Sequence, residues 1–453
     1  MELYDKLSAH VHKVSQIEKD LFSRYNVKRG LRNADHSGVL VGLTNIGDVI
    51  GYDKVDGKII PVEGQLYYRG INVNDLVKGF QADQRHGFEE TIYLLLSGKL
   101  PNQPELKEFT EELSELRELP PPFTKNMILS MRGRNVMNML ARSVLVTYTL
   151  DEDPENYSLK NVIKQSMNLI AKFPAFVVYS YYGMLHSFFR RSLVIRHPEP
   201  HLSIAENFLH MLKGDDYTSL EADIIDLALV LHAEHGGGNN SSFTTRVVSS
   251  SGTDTYSAIA AAIGSLKGGL HGGANLKVIE MMENIKENVS DWKDEEEVKA
   301  YLTKILKCEA FDKSGKIYGI GHAIYTLSDP RAVLLKEKAR SLAIEKNRLD
   351  EFELYALIEK LAPEVFGTYK GPGAKVICPN VDFYSGFVYD CIHIPRDIYT
   401  PVFAIARIAG WCAHRLEEVT FTSKRIIRPA YKNVSKRSIY VPLEERIKQN
   451  VTV

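Results

Sequence analysis

Three histidines, one aspartate and three arginines stand where their chemistry is worth asking about. His271 lies in "LKGGLHGGANLKV", between two Gly-Gly pairs and two helix-like stretches. Glycine pairs permit positive φ and let backbone approach a ligand closely. The next helix is expected to start near Ala274 or Asn275. The partial positive charge of its N-terminus would disfavour a protonated ring. A neutral imidazole held there can donate a hydrogen bond to a carbonyl becoming an enolate. A turn histidine with no chemical task fits the same stretch.

His322 follows Gly321 in "YGIGHAIYTLSDPR", and Arg331 sits in the first turn of the helix after it. The helix dipole does not favour a cation there, so either a separate anion compensates it or the side chain is solvated. Asp382, in "CPNVDFYSG", has apolar neighbours that would raise its pKa towards that of a base; a turn-forming role after Pro379-Asn380 is the alternative. Arg407 lies in "PVFAIARIAGWCAHR", apolar almost all round, with no acid at i±3 or i±4. A buried guanidinium needs a partner, so a structural salt bridge or an acidic ligand is expected. Arg428, in "SKRIIRPAY", reads equally as a surface charge. Taken together, these residues suit carbon-acid chemistry on a small polycarboxylate.

A competing reading is a metal site at "HAEH", with His232 and His235 three apart and Glu234 between them. The spacing is not HExxH, which weakens the case for a metal hydrolase. There is no GxxxxGK[ST], and no GxGxxG follows a strand, so P-loop and Rossmann nucleotide sites are excluded.

The positioning elements are mainly helices. "FEETIYLLLSGKLP" ends at Gly98, "PELKEFTEELSEL" is amphipathic, and "LKNVIKQSMNLIAKFPAFVVYSYY" is apolar with a break or kink expected near Pro174. "TSLEADIIDLALVLHAEH" opens with a Thr218–Glu221 capping box, and His235 shares its apolar face if the helix lasts that far. Strand patterns are confined to "GVLVGLTNIGDVIGY" and "KIIPVEGQLYYRG". The fold class is therefore mostly α with small N-terminal β hairpins. Length favours two domains: residues 1–273 and 391–453 forming a large one, and 274–390 a smaller inserted one.

Of the 453 residues, 44% are hydrophobic and 25% charged, with a net charge of −1. That balance calls for neither nucleic acid nor an anionic membrane, and no apolar run reaches spanning length. Cys308, Cys378, Cys391 and Cys412 have no CxxC spacing and read as reduced thiols. The N-terminus lacks the pattern of a targeting peptide, so a cytoplasmic location is expected.

The ordered blocks "LHAEHGGGNNSSFTTRVVSS", "LKGGLHGGAN", "YGIGHAIYTLSDPR", "PNVDFYSG", "ARIAGWCAHRLEE" and "RIIRP" resemble the citrate synthase family, as do "YYRGINVNDL" and "FEETIYLLLSGKLP" upstream. The resemblance implies a homodimer of two helical domains with the site in the cleft between them. It implies an si-type acyltransferase of the tricarboxylic acid cycle, with acetyl-CoA as co-substrate and no metal. His271, His322 and Asp382 would be the catalytic trio. His235, Arg331, Arg407 and Asn239 would hold oxaloacetate, with Arg428 supplied by the other subunit, and Ser241 would orient His271. Gly319, Ile320, Gly321 and Lys375 would meet CoA. Many members have proline at the position of Gly269 and a basic residue at that of Thr326, which bears on the loop before His271 and on one CoA phosphate contact. The rivals are a 2-methylcitrate synthase using propionyl-CoA and a non-catalytic helical dimer that binds carboxylates.

Overall fold

The computed structural model describes residues 2–33, 35, 37–56 and 58–449. Two units pack separately, Met1–Asn45 and Ile46–Val453. The first carries helices Leu3–Val14 and Lys19–Arg24 and a 3-10 turn, Arg29–Leu31.

The second opens with an antiparallel sheet of β1 (Gly47–Val55), β2 (Lys58–Tyr68) and β3 (Ile71–Asn72), in that order. Gly47 lies opposite Tyr68 and Val55 opposite Lys58, with an irregularity between Ile50 and Tyr52. The strand pattern from residue 38 begins only at 47; before it, Gly38 makes an isolated bridge with Arg32, and Ile46 O accepts Arg69 N–H at 2.7 Å.

The rest is helical, and the fold is mostly α as expected. Helix Leu159–Phe189 runs unbroken through Pro174. A proline inside a helix costs about 3 kcal/mol. Here the residues around it, Ala171 to Val178, are all buried, and that packing offsets the lost hydrogen bond. The helix lies against Val136–Thr147, Ile204–Lys213 and Tyr399–Thr420. Helix Tyr399–Thr420 is buried from Ala404 to Leu416 and also meets Phe88–Ser97, Ser219–His232, Asn240–Ser249 and Thr255–Leu266. Helix Phe88–Ser97 ends at Gly98 in the left-handed region, as its sequence required. Helices Ala274–Asn288, Glu295–Leu306, Pro330–Glu345, Leu349–Lys370 and Val381–Cys391 pack chiefly on one another, with Pro330–Glu345 also touching Ser219–His232. Among the described residues no helix is long and apolar enough to cross a membrane.

Two local readings are corrected. Helix Ser219–His232 stops before His235, which instead lies in the irregular segment that follows. Thr218 does cap Glu221 N–H, at 3.2 Å, but the reciprocal half of the box is missing. Glu221 is buried between Lys213 and Lys346, at 2.9 and 2.6 Å, and two ammonium groups outcompete a backbone N–H for it.

The hairpin grips both histidine-bearing segments. The Tyr68 hydroxyl donates into the carbonyls at the end of Ser219–His232, 2.9 Å from Val230 O and 3.2 Å from Glu234 O. Gly64 N–H donates to Ser328 Oγ at 3.1 Å, and Thr326 Oγ1 donates to the carbonyl of Gly51. Thr326 is thus a buried tie between hairpin and loop. A long cation there would sit inside the protein, away from solvent phosphates. Tyr68→Phe should leave those carbonyls one donor short and destabilise the fold by about 1 kcal/mol. The check is a lower denaturant midpoint with an unchanged slope.

Candidate active site

Loop 319–322 and segment 378–380 form a short antiparallel clasp. Gly321 N–H donates to Cys378 O at 2.7 Å, Asn380 N–H to Gly319 O at 2.8 Å, and Asn380 Nδ2 to Gly321 O at 2.9 Å. Gly319 has φ +77°, and a Cβ there would come within 2.8 Å of Phe383 and Val278. Asn380 then caps helix Val381–Cys391, accepting from Asp382 N–H at 3.0 Å. The residue that closes the clasp on the histidine loop thereby also starts the helix that carries Asp382.

His322 Nδ1 accepts two backbone N–H groups, from Ile324 at 3.0 Å and Tyr325 at 3.1 Å. It therefore carries no proton, and the ring is neutral with its N–H on Nε2. That N–H faces His235 Nε2, 3.1 Å away, so His235 accepts and carries its own proton on Nδ1. His235 is held well below the usual histidine pKa by burial first, then by Arg331, His322 and Arg407. Tyr325 flanks both rings, at centroid distances of 5.6 and 4.7 Å.

Arg331 meets its anion inside the chain. Asp329 takes Nε at 3.0 Å and Nη2 at 2.8 Å, and also caps the same helix by accepting Arg331 N–H. Burial pulls this guanidinium's pKa down, yet Asp329 lifts it above the usual arginine value. The anion expected beside Arg331 is therefore Asp329, and its fork leaves Nη1 unengaged by it.

Arg407 differs. It is wholly buried; Nε donates to His232 O at 2.5 Å, and Nη1 and Nη2 have no hydrogen-bond partner among the described residues. Burial lowers its pKa to about 10, partly opposed by Glu234. No salt bridge forms with that acid. Glu234 instead accepts from His414 Nε2 at 3.0 Å, and His414 Nδ1 accepts from Arg246 Nε at 3.0 Å. Although burial raises the Glu234 pKa, His414 and Arg407 hold it below the usual carboxylate range. His232, the other member of "HAEH", packs edge-on to Phe403. No group of three or more metal-ligating side chains occurs among the described residues.

His271 is half-buried, and helix Ala274–Asn288 starts at the expected residue. Its pKa is lowered to about 4, by burial first and then by Arg407. Burial and Arg407 are thus causes of the neutral ring that the stretch around His271 does not reveal by itself. None of Gly268, Gly269, Gly272 and Gly273 has positive φ, so left-handed backbone is not what these glycines supply. Gly272 is required for close approach: a Cβ would lie 2.2 Å from Leu266 O and 2.7 Å from Thr400, whose hydroxyl donates to Gly272 O. Gly269 has open space, so a larger residue fits there. His271 Nε2 lies 3.3 Å from Ser241 Oγ, which also meets Asn239 Oδ1 and Trp411 Nε1.

Asp382 is half-buried, and desolvation raises its pKa to about 6 against the pull of Arg331. Lys375 is exposed and its Nζ donates to His322 O at 2.7 Å, bracing the histidine loop. Gly319 and Ile320 line a groove of about 420 Å³ with Leu270, Lys277, Lys316 and Phe366. Arg428 is exposed on the irregular stretch after Thr420, and the electrostatics of Asp382 and His235 register Arg331 and Arg407 but not Arg428. Sequence reasoning missed Asp329, Asn380, Glu234, His414 and Trp411 as supports. Asp329 and Asn380 had a readable signal in their cap positions.

Residues 35–430 match the family "Citrate synthase, C-terminal domain". The chain belongs to the citrate synthase family. It is 34% identical over 426 residues to the citrate synthase of Haloferax volcanii, covering 93% of this chain and 99% of that protein. It is 33% identical over 398 residues to 2-methylcitrate synthase 1 of Corynebacterium glutamicum, covering 86% and 94%. Among solved structures it superposes with TM-score 0.74 and 28% identity on the Thermoplasma acidophilum citrate synthase in ternary complex with carboxymethyl coenzyme A and oxaloacetate, covering 93% of this chain and 99% of that one.

An acid whose folded pKa is raised costs stability when ionised. For Asp382 that cost is full above about pH 6 and is gone below the unfolded value near 3.8. Asp382→Asn should therefore melt about 1–3 °C higher than the parent at pH 7.5, with the advantage vanishing towards pH 4. Scanning calorimetry across that range checks it.

Proposed function

We propose that this chain condenses acetyl-CoA with oxaloacetate and water, giving citrate and CoA. The observation that carries the reading is the Arg407 guanidinium, buried with two nitrogens unclaimed by any described residue, beside two neutral histidines and a half-buried carboxyl. A desolvated fork of that kind suits a carboxylate. With Arg331, His235 and Asn239 it holds a small dicarboxylate.

Asp382 takes a proton from the methyl of acetyl-CoA. A pKa of about 6 leaves it mostly ionised at neutral pH yet basic enough for the task. His271 donates to the thioester oxygen as the enol forms. The enol carbon attacks the ketone of oxaloacetate, whose oxygen takes the Nε2 proton of His322. Water then cleaves the citryl thioester. CoA lies along the groove at Gly319 to Gly321, with Lys277 and Lys316 lining it and Lys375 next to it. The working form is a homodimer in the cytoplasm, each subunit lending Arg428 to its partner. Residues 274–390 form the smaller domain, and its closure on the rest excludes water from the enol.

Thiol release from acetyl-CoA, with and without oxaloacetate, tests the reading. Release that needs both substrates and survives a chelator is expected; silence from folded protein would favour a non-catalytic carboxylate binder. Asp382→Ala should abolish turnover while oxaloacetate still protects against melting. His271→Ala should lose about 10²–10³ in rate, and Arg407→Ala should raise KM for oxaloacetate.

The 2-methylcitrate synthase relative keeps propionyl-CoA in view. One methylene is worth about 1–3 kcal/mol in an apolar pocket. The expected outcome is a higher kcat/KM with acetyl-CoA than with propionyl-CoA; the reverse order would reassign the acyl donor.

A further inference from the structure

The hydroxyl of Ser241, wholly buried, meets three partners: Asn239 Oδ1 at 2.8 Å, Trp411 Nε1 at 3.0 Å and His271 Nε2 at 3.3 Å. An indole nitrogen only donates, and a hydroxyl has one proton and two lone pairs. Trp411 therefore occupies one lone pair. Asn239 presents oxygen, because the same Oδ1 caps the helix by accepting Ser241 N–H at 3.2 Å. The Ser241 proton then has two destinations, Asn239 or His271. If it points to Asn239, the second lone pair faces His271, whose Nε2 must carry the ring proton and whose Nδ1 is bare. If it points to His271, Nε2 accepts and the ring proton belongs on Nδ1, the nitrogen turned away from Ser241.

We propose that Trp411 is a positioning residue: its N–H anchors Ser241 as a two-position proton switch that selects the tautomer of His271. This rests on the reading of His271 as the donor to a thioester oxygen. Trp411 fixes the direction of one lone pair, so the other tetrahedral positions point at Asn239 and His271. By donating to the oxygen it also makes the Ser241 O–H a stronger donor. In the free protein the two short contacts favour Ser241 O–H on Asn239 and His271 as the Nε2–H form. A carbonyl oxygen arriving at Nδ1 reverses both. The ring takes a proton from water at Nδ1 and returns the Nε2 proton to water, so its charge is unchanged.

The test uses the full chain labelled with 15N-histidine, with the His271 signals identified by their loss in His271→Asn. The free protein should show the Nε2–H form, and oxaloacetate with carboxymethyl-CoA should convert it to Nδ1–H. Trp411→Phe should weaken that conversion and lower kcat about five- to tenfold, with KM for oxaloacetate unchanged. In a Ser241→Ala background the same change should cost nothing further. An equal loss in that background, or an Nδ1–H ring already present in the free wild type, would overturn the switch. If Trp411→Phe fails to fold, benzothienylalanine incorporated in a Trp292→Phe background keeps the tryptophan shape and removes only the N–H. Wild-type protein that releases no thiol would defeat the functional reading instead, and the free-state tautomer would still be measurable.

Discussion

The site depends on one desolvated positive charge. Arg407 is sealed inside the apolar helix Tyr399–Thr420, tethered by Nε to His232 O, and its remaining nitrogens have no hydrogen-bond partner among the described residues. Glu234 is the nearby counter-charge, but it is committed to His414, which is in turn held by Arg246. That chain holds one oxygen of the acid and helps keep it ionised, so the guanidinium is stabilised electrostatically while its hydrogen-bonding edge stays available. A direct ion pair would have satisfied the fold and closed the site.

The same charge disciplines its neighbours. It helps keep His235 and His271 unprotonated and partly offsets the rise at Asp382. Protonation states are then fixed locally by hydrogen bonds. Two backbone N–H groups take Nδ1 of His322, and the ring's single proton has nowhere to sit but Nε2. Orientation is therefore built into peptide geometry, which is stiffer than any side-chain contact. The β1–β2 hairpin holds the loops that carry His235 and His322 from the outside, through Tyr68, Gly64 and Thr326.

Supports are more numerous than the groups they support. Asp329 is at once helix cap, partner of Arg331 and acceptor for Val381 N–H at 3.2 Å, so one carboxylate links the arginine's helix to the helix that bears Asp382. Asn380 does the equivalent between His322 and Asp382. Such shared residues make the part of the site that carries His322, Arg331 and Asp382 a single mechanical piece, which suits chemistry that needs tightly held geometry.

Much of this was readable from the chain. Helix limits near Gly98, Ala274 and Pro330 follow from local propensity and capping, which act over a few residues. The ordered motifs were enough to place the chain in its family. Local sequence could not say why His271 is neutral, because the cause is burial beside an arginine far along the chain. It could not reveal Asp329 rather than a ligand beside Arg331, the end of the helix before His235, or the indole on Ser241. Desolvation and hydrogen-bond competition depend on what surrounds a group in three dimensions. The sequence therefore determined which side chains were candidates and which elements carry them; tertiary packing alone decided which are charged, which are already paired, and where each proton sits.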